Sequence, residues 1–202
     1  LGVILDNKLN FDAHTNYIKD KIIKKYHVLR RINKKTNAYS QILLYKSLIA
    51  PHFDYCSTIL FLLNKKQIDC LQKAQNKIMR LILKMKFDTS IEFMLDCLQW
   101  MSVEQRVAFN SLKFIWKMEN NLLPDYMCEK LVTKQITSKY NLRNNNDYVM
   151  PNFKKSSSQN SLFYKGIDQY NKFKKTFKSN RTLNEFSKNC TIYVKQEFKL
   201  RR

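Results

Sequence analysis

Apolar positions recur at helical spacing through the first half of the chain. Ile18, Ile22, Tyr26, Leu29 and Ile32 follow one another in steps of three and four, which places them on one face of a long helix that Asn10 or Asp12 can cap. Ser40 opens a shorter helix through Leu43, Leu44 and Leu48; Pro51, which cannot donate to a helical ladder, then breaks or kinks the chain ahead of an apolar stretch from Phe53 to Leu63. Asn64 caps a third long helix in which Ile68, Leu71, Gln75, Ile78 and Ile82 share one face. Beyond it, Thr89 or Asp88 opens a short helix, and Ser102 with Gln105 forms a capping box before Val107, Phe109, Leu112, Ile115, Trp116 and Met118. Pro124, at a first-turn position, begins another short helix to Val132. From Lys139 to Asn160 the periodicity stops: Asn144, Asn145, Asn146 and Ser156, Ser157, Ser158 mark loop, with room for a strand at Tyr148 to Met150 before Pro151. Aromatics at Phe163, Tyr164, Tyr170, Phe173 and Phe177 then alternate with lysines, and a final helix carries Leu183, Phe186, Cys190 and Tyr193. The opening Leu1-Gly2-Val3-Ile4-Leu5-Asp6 reads as the inside of a strand, so the chain is expected to continue a longer protein. Together these elements predict a mainly α fold: a helical bundle, then a smaller, mostly helical C-terminal domain with a few short strands.

The polar positions add a second regularity. On the third helix Lys66, Lys73, Lys77, Arg80 and Lys84 fall within an arc of about 60°, centred about 180° from the apolar face at about 100° per residue. Lys24, His27, Arg31, Lys34 and Lys35 occupy the corresponding side of the first helix. Either set can be an ordinary solvated face or a row of cations for a phosphate backbone.

Composition sharpens this choice only in part. Lys and Arg total 37 against 16 acidic residues, a net charge of +21, but 29 of the cations are Lys and the chain has 20 Asn. Adenine-rich codons specify both, so codon bias can supply the total. Divided after Met101, the two parts carry +9 and +12, so no basic tail is responsible. Codon bias cannot select a helical phase, and the phased cations are the informative ones.

Several chemistries are excluded. Gly2 and Gly166 are the only glycines, too far apart for a dinucleotide-binding turn or a Walker loop. The longest apolar run, Ile59 to Leu63, is far short of the roughly 18 residues a membrane span needs. Cys56, Cys70, Cys97, Cys128 and Cys190 form an odd set without C-x-x-C spacing; they read as buried thiols of a reduced, intracellular chain, in the cytoplasm, the nucleus or both. His52 and Cys56, four apart, match no zinc module, and a cysteine nucleophile would need a base from His14, His27 or His52. Carboxylate pairs at Glu92/Asp96 and Asp125/Glu129 sit among lysines as helix ion-pair partners, and no Asp-Asp pair occurs. No zinc finger or RRM signature reads bases. The aromatics of the last segment can stack on unpaired bases or form the core of a small domain.

The opening Leu1-Gly2-Val3-Ile4-Leu5-Asp6 with Phe11 and His14 resembles the end of the palm in reverse transcriptases of non-LTR (LINE-like, jockey-type) retrotransposons. Tyr45, Ser47, Leu48, Ile49, Pro51 and Tyr55 resemble that family's Y-x-S-L-I-x-P-x-x-x-Y stretch, and Gln75-Asn76-Lys77 with Arg80, Leu81 and Ile82 its Q-N-K-x-x-R helix. Leu122-Leu123-Pro124, Tyr140-Asn141-Leu142-Arg143, Leu162-Phe163-Tyr164 with Gly166, and Leu183 with Phe186 keep the family's order. Tyr170-Asn171-Lys172-Phe173-Lys174 departs from its Trp-Asn-x-Leu-Pro, and Leu142 stands where Thr is usual. The resemblance implies that residues 1–11 end the palm at the primer-grip strand, 12–101 form a helical thumb-like domain, and 102–202 close the reading frame. It places the polymerase active site upstream, where palm aspartates, a Tyr-x-Asp-Asp pair among them, hold two metal ions; this chain then has no catalytic residues and no cofactor, and Mg2+ is expected only in that palm. Its implied partners are RNA and DNA as a template-primer duplex, and the upstream palm and fingers. The backbone-gripping residues would be Lys66, Lys73, Lys77, Arg80 and Lys84, then Lys24, Arg31 and Lys35, in sequence-independent contacts. The alternatives are a degenerate retroelement fragment acting as a basic helical interaction protein, or a peripheral binder of anionic membrane.

Overall fold

Asn64 accepts the amide of Gln67 at 3.0 Å while the Gln67 side chain accepts the amide of Asn64 at 2.8 Å. This capping box satisfies two backbone donors otherwise stranded at a helix start, and from it runs Lys65–Leu83 (α5), the organising helix of the first half. In the computed structural model, which describes residues 2–137, 146–154, 156–177 and 182–198, α5 packs against Asp12–Ile32 (α1), Ala38–Leu48 (α2) and Ile91–Leu98 (α6). Ala50–Asp54 (α3) and Ser57–Leu60 (α4) lie between α2 and α5 in sequence, with Pro51 in the first turn of α3. The chain is mainly helical.

The chain divides into two compact units, Leu1–Val107 and Ala108–Lys199, and the division falls inside Val103–Glu119 (α7). In the first unit the core joins Ile18, Ile22 and Leu29 of α1, Tyr45 of α2, Phe53 of α3, Leu71, Ile78, Met79 and Ile82 of α5, Met94 of α6, and Trp100. Each fully buried side chain of this size stabilises by about 1.5–3 kcal/mol, and of the core residues named here α5 supplies more than any other helix.

The second unit contains the remainder of α7, Asp125–Cys128 (α8), Lys134–Thr137 (α9), Ser156–Gln159 (α10), Ile167–Thr176 (α11) and Leu183–Glu197 (α12), with a π-helical turn at Leu162–Gly166. Its core is aromatic: Trp116 stacks on Phe186, and Phe173 meets Phe186 and Tyr193 edge-on. Gly166 admits the close approach of Leu162 and Ile115, since a Cβ there would stand 2.9 Å from Leu162 Cδ1. Tyr170 and Phe173 are buried, so these rings hold the core together and have no free face for a base.

Several local expectations change. α1 begins at Phe11 in the left-handed region without a side-chain cap; the Asp6 carboxylate instead accepts the amides of Lys8, Asn10 and Phe11. Asn37, not Ser40, caps α2 by accepting the Ser40 amide at 2.8 Å, and Ser90 precedes α6. Ser102 and Gln105 form the expected capping box of α7. Among the described residues no strand occurs. Gly2–Asp6 finds no partner with which to build a ladder, and Tyr148 makes only an isolated bridge to Thr133. Leu1, the Tyr140–Arg143 stretch and the opening part, 139–145, of the loop expected from Lys139 to Asn160 lie outside the described residues. Of the cysteines only Cys190 is buried; Cys97 is exposed and the other three are half-buried.

With so few glycines, helix ends that usually take glycine are held by other residues: Lys84, Gln99 and Asn121 all have φ 53°. A non-glycine residue in this region costs about 1 kcal/mol. Gln99→Gly, at an exposed helix end, is therefore expected to raise stability by about 0.5–1 kcal/mol, read as a higher urea midpoint. A lower midpoint would show that the Gln99 side chain's 2.8 Å bond to the Asp96 carbonyl outweighs the backbone relief.

Candidate nucleic-acid interface

The buried residues of α5 are Gln67, Leu71, Gln72, Ala74, Gln75, Asn76, Ile78, Met79 and Ile82. At about 100° per residue they cover an arc of about 200°, so somewhat less than half of the helix circumference meets solvent. Its fully exposed positions are Lys65, Lys66, Asp69, Lys73 and Lys77, all charged. Arg80, half-buried, continues this strip one turn further on, and Lys84, exposed, ends the helix. Among the described residues no ion pair engages Lys66, Lys73, Lys77, Arg80 or Lys84.

Beneath the strip the helix is fixed by amides. Gln72 Nε2 donates to Gln75 Oε1 (3.0 Å) and Asn76 Oδ1 (2.8 Å), while its Oε1 accepts the Val103 amide at 2.8 Å. Gln75 Nε2 donates to Tyr45 Oη (3.1 Å) and to the Met101 carbonyl (3.0 Å). Tyr45 also stacks on Trp100 with ring centroids 3.7 Å apart, and burial pushes its phenol up to about 12. Buried polar groups this well paired set one rotational position for α5 and so hold its cations in a defined row. Motif residues Tyr45, Gln75 and Asn76 thus serve the core, whereas Lys77 of the same motif faces solvent.

On α1, Lys24, His27 and Arg31 are exposed opposite the buried His14, Ile18, Ile22 and Leu29. The helix ends at Ile32, so Lys34 and Lys35 lie in the following turn, off the helical phase that sequence periodicity assigned them. Because α1 turns its buried face toward α5, its basic side points away from α5, and the two strips are separate surfaces.

Sequence periodicity passed over Phe87. It is 87% exposed, and the Arg80 guanidinium lies over its ring at 4.9 Å. An aromatic flanked by Lys86 and the C-terminal cations of α5 was the available signal. Elsewhere, no group of three or more His, Cys, Asp or Glu among the described residues is placed to hold a metal ion. His52 and Cys56 therefore gather no further ligands. Burial pushes the Cys190 thiol up to about 12, which keeps it protonated and inert. No helix among the described residues is long and apolar enough to cross a membrane.

Fold and surface together define a helical protein whose first unit carries a row of cations that form no ion pair among the described residues. The chain is 32% identical over 85 residues, 41% of its length, to the probable RNA-directed DNA polymerase from transposon X-element of Drosophila melanogaster. The match spans 9% of that protein's length. No protein-family model matches the chain. No solved structure matches it either. The chain thus carries a stretch similar to part of a retroelement polymerase.

Proposed function

We propose that the first unit is the thumb of a retroelement RNA-directed DNA polymerase of the non-LTR, jockey-like kind, gripping the template-primer duplex by its backbone. The observation that carries this reading is the α5 strip: every fully exposed position is charged, the cations have no ion-pair partner among the described residues, and a buried amide network holds them in phase. Similarity to a transposon-encoded polymerase supplies the partner class, RNA and DNA. In the parent enzyme, palm and fingers precede this region and Mg2+ belongs to the palm, so this chain binds and positions without reacting. Lys66, Lys73, Lys77, Arg80 and Lys84 make the principal contacts, and Lys24, Arg31 and Lys35 form a lesser, separate contact surface.

Titrating an RNA–DNA hybrid with the whole chain across a salt series tests the assignment. Four to five phosphate contacts predict that log K falls against log salt with a slope of about −4, since each neutralised phosphate contributes about 0.9 for duplex. Absence of hybrid binding at low salt, with retention on anionic vesicles, would replace this reading by a membrane-surface one.

A further inference from the structure

We propose that Phe87, held on the Arg80 guanidinium, is a stacking platform for an unpaired nucleobase, placed where the α5 cation row ends. This rests on the nucleic-acid reading of α5 and adds to it a contact that phosphate binding cannot provide. Three observations meet at this point. Phe87 is 87% exposed, more than any other large apolar side chain among the described residues. Its ring is not loose, because the Arg80 guanidinium lies 4.9 Å from its centroid. Arg80 is half-buried, and its Nε is buried without a hydrogen-bond partner, so the side chain is committed to this position by packing.

Phe87 stands in a short turn in which the Thr89 amide reaches the Lys86 carbonyl at 3.3 Å, following Lys84, the left-handed end of α5. Lys84 and Lys86 are both exposed. A flat apolar ring backed by Arg80, with exposed Lys84 and Lys86 against a single acid, Asp88, in the same short segment, suits a ligand that is planar and aromatic on one part and anionic on the next, the chemistry of a nucleotide in a single strand. A protein helix would meet that face with aliphatic groups and require acidic neighbours. Duplex held along Lys66, Lys73 and Lys77 would present its bases already stacked, so the platform takes the first unpaired base beyond the duplex.

Three ligands of equal charge and duplex length test this on the full chain: an RNA–DNA hybrid with a five-nucleotide overhang, the same hybrid with an abasic overhang, and that overhang moved to the other strand. The abasic strand keeps every phosphate and removes the bases, which separates stacking from charge. Stacking of one base is worth about tenfold in affinity, so the wild-type chain is expected to prefer a base-bearing overhang over the abasic one by about that factor. Phe87→Ala abolishes the preference and leaves abasic binding unchanged; Phe87→Trp retains it and shows indole quenching on binding. Arg80→Lys keeps the charge but removes the planar support, and reduces the preference. Since Phe87 is exposed, circular dichroism and the unfolding midpoint stay at wild-type values in Phe87→Ala. Hybrid binding without any base preference, or a preference that survives Phe87→Ala, overturns the platform alone. No hybrid binding at low salt overturns the α5 reading with it, and loss of vesicle binding in Phe87→Ala under those conditions would identify the patch as a membrane contact.

Discussion

Charge reversal at Lys66, Lys73 and Lys77 together is expected to weaken binding of an RNA–DNA hybrid by about 1000-fold at about 50 mM salt, and to flatten the dependence of log K on log salt by about 3. Both figures follow from counterion release: three lost phosphate contacts remove about 0.9 each from the slope, and at this salt each is worth about tenfold. Lys→Glu at exposed helix positions changes stability by no more than about 0.5 kcal/mol, and a carboxylate at position 66, in the first turn of α5, is favoured by the helix dipole. Arg80 is excluded from the triple variant because its Nε is buried, so an acid there would confuse misfolding with lost affinity. Fluorescence anisotropy across a salt series reads the affinity and circular dichroism the fold. Affinity within threefold of wild type, on an unchanged salt slope, would refute the α5 strip as the contact surface.

That surface was legible because two residue classes segregate at a period of 3.6 on one helix, and segregation in phase survives any bias in composition. The width of the buried arc was not. Gln75 shares the apolar face by spacing, but Gln72 and Asn76 fall on neither stripe, yet all three are buried because they satisfy one another, Tyr45 and the backbone at Met101 and Val103. Those partners come from three separate parts of the chain, and no local pattern announces them. Caps followed the same division. Asn64 and Ser102 act through residues three positions away and were readable, whereas the start of α1 depends on Asp6 gathering amides across a turn that positive φ at Leu9 and Phe11 creates. Glycine scarcity gives no sign of where the helix ends turn left-handed, which here fall at Lys84, Gln99 and Asn121. Phe87 was missed because it belongs to no periodic face.

Glu119→Gln is expected to destabilise the second unit by about 3 kcal/mol at pH 7, although Glu119 belongs to no motif. Its sequence signal was an acid in the last turn of α7, against the helix dipole, which requires a compensating partner. The structure supplies three. Lys174 Nζ and Tyr148 Oη each donate to Oε1 at 2.7 Å, and Tyr170 Oη donates to Oε2. Burial acts to raise the Glu119 carboxyl, but hydrogen bonds from Lys174, Tyr170 and Tyr148 and the Lys174 charge outweigh it and hold the group below its usual range. Hydrogen bonds to a charged group contribute about 1.5–3 kcal/mol each, and a side chain 27% exposed that shares three of them keeps roughly half of their sum. A lowered carboxyl contributes stability above its unfolded value, which is lost as pH falls through the folded one. The difference between wild type and Glu119→Gln should therefore be full at neutral pH and shrink below about pH 4. At the alkaline end the sign is opposite: burial and the neighbouring carboxylate raise both tyrosines, so their contribution holds below about pH 10 and is lost as pH rises further. Urea unfolding from about pH 3 to about pH 12, with amide exchange in α11 as the local probe, measures both limbs. A cost that stays constant from pH 7 down to pH 3 would mean that the Glu119 charge contributes nothing and that only the shape of its side chain supports the aromatic core.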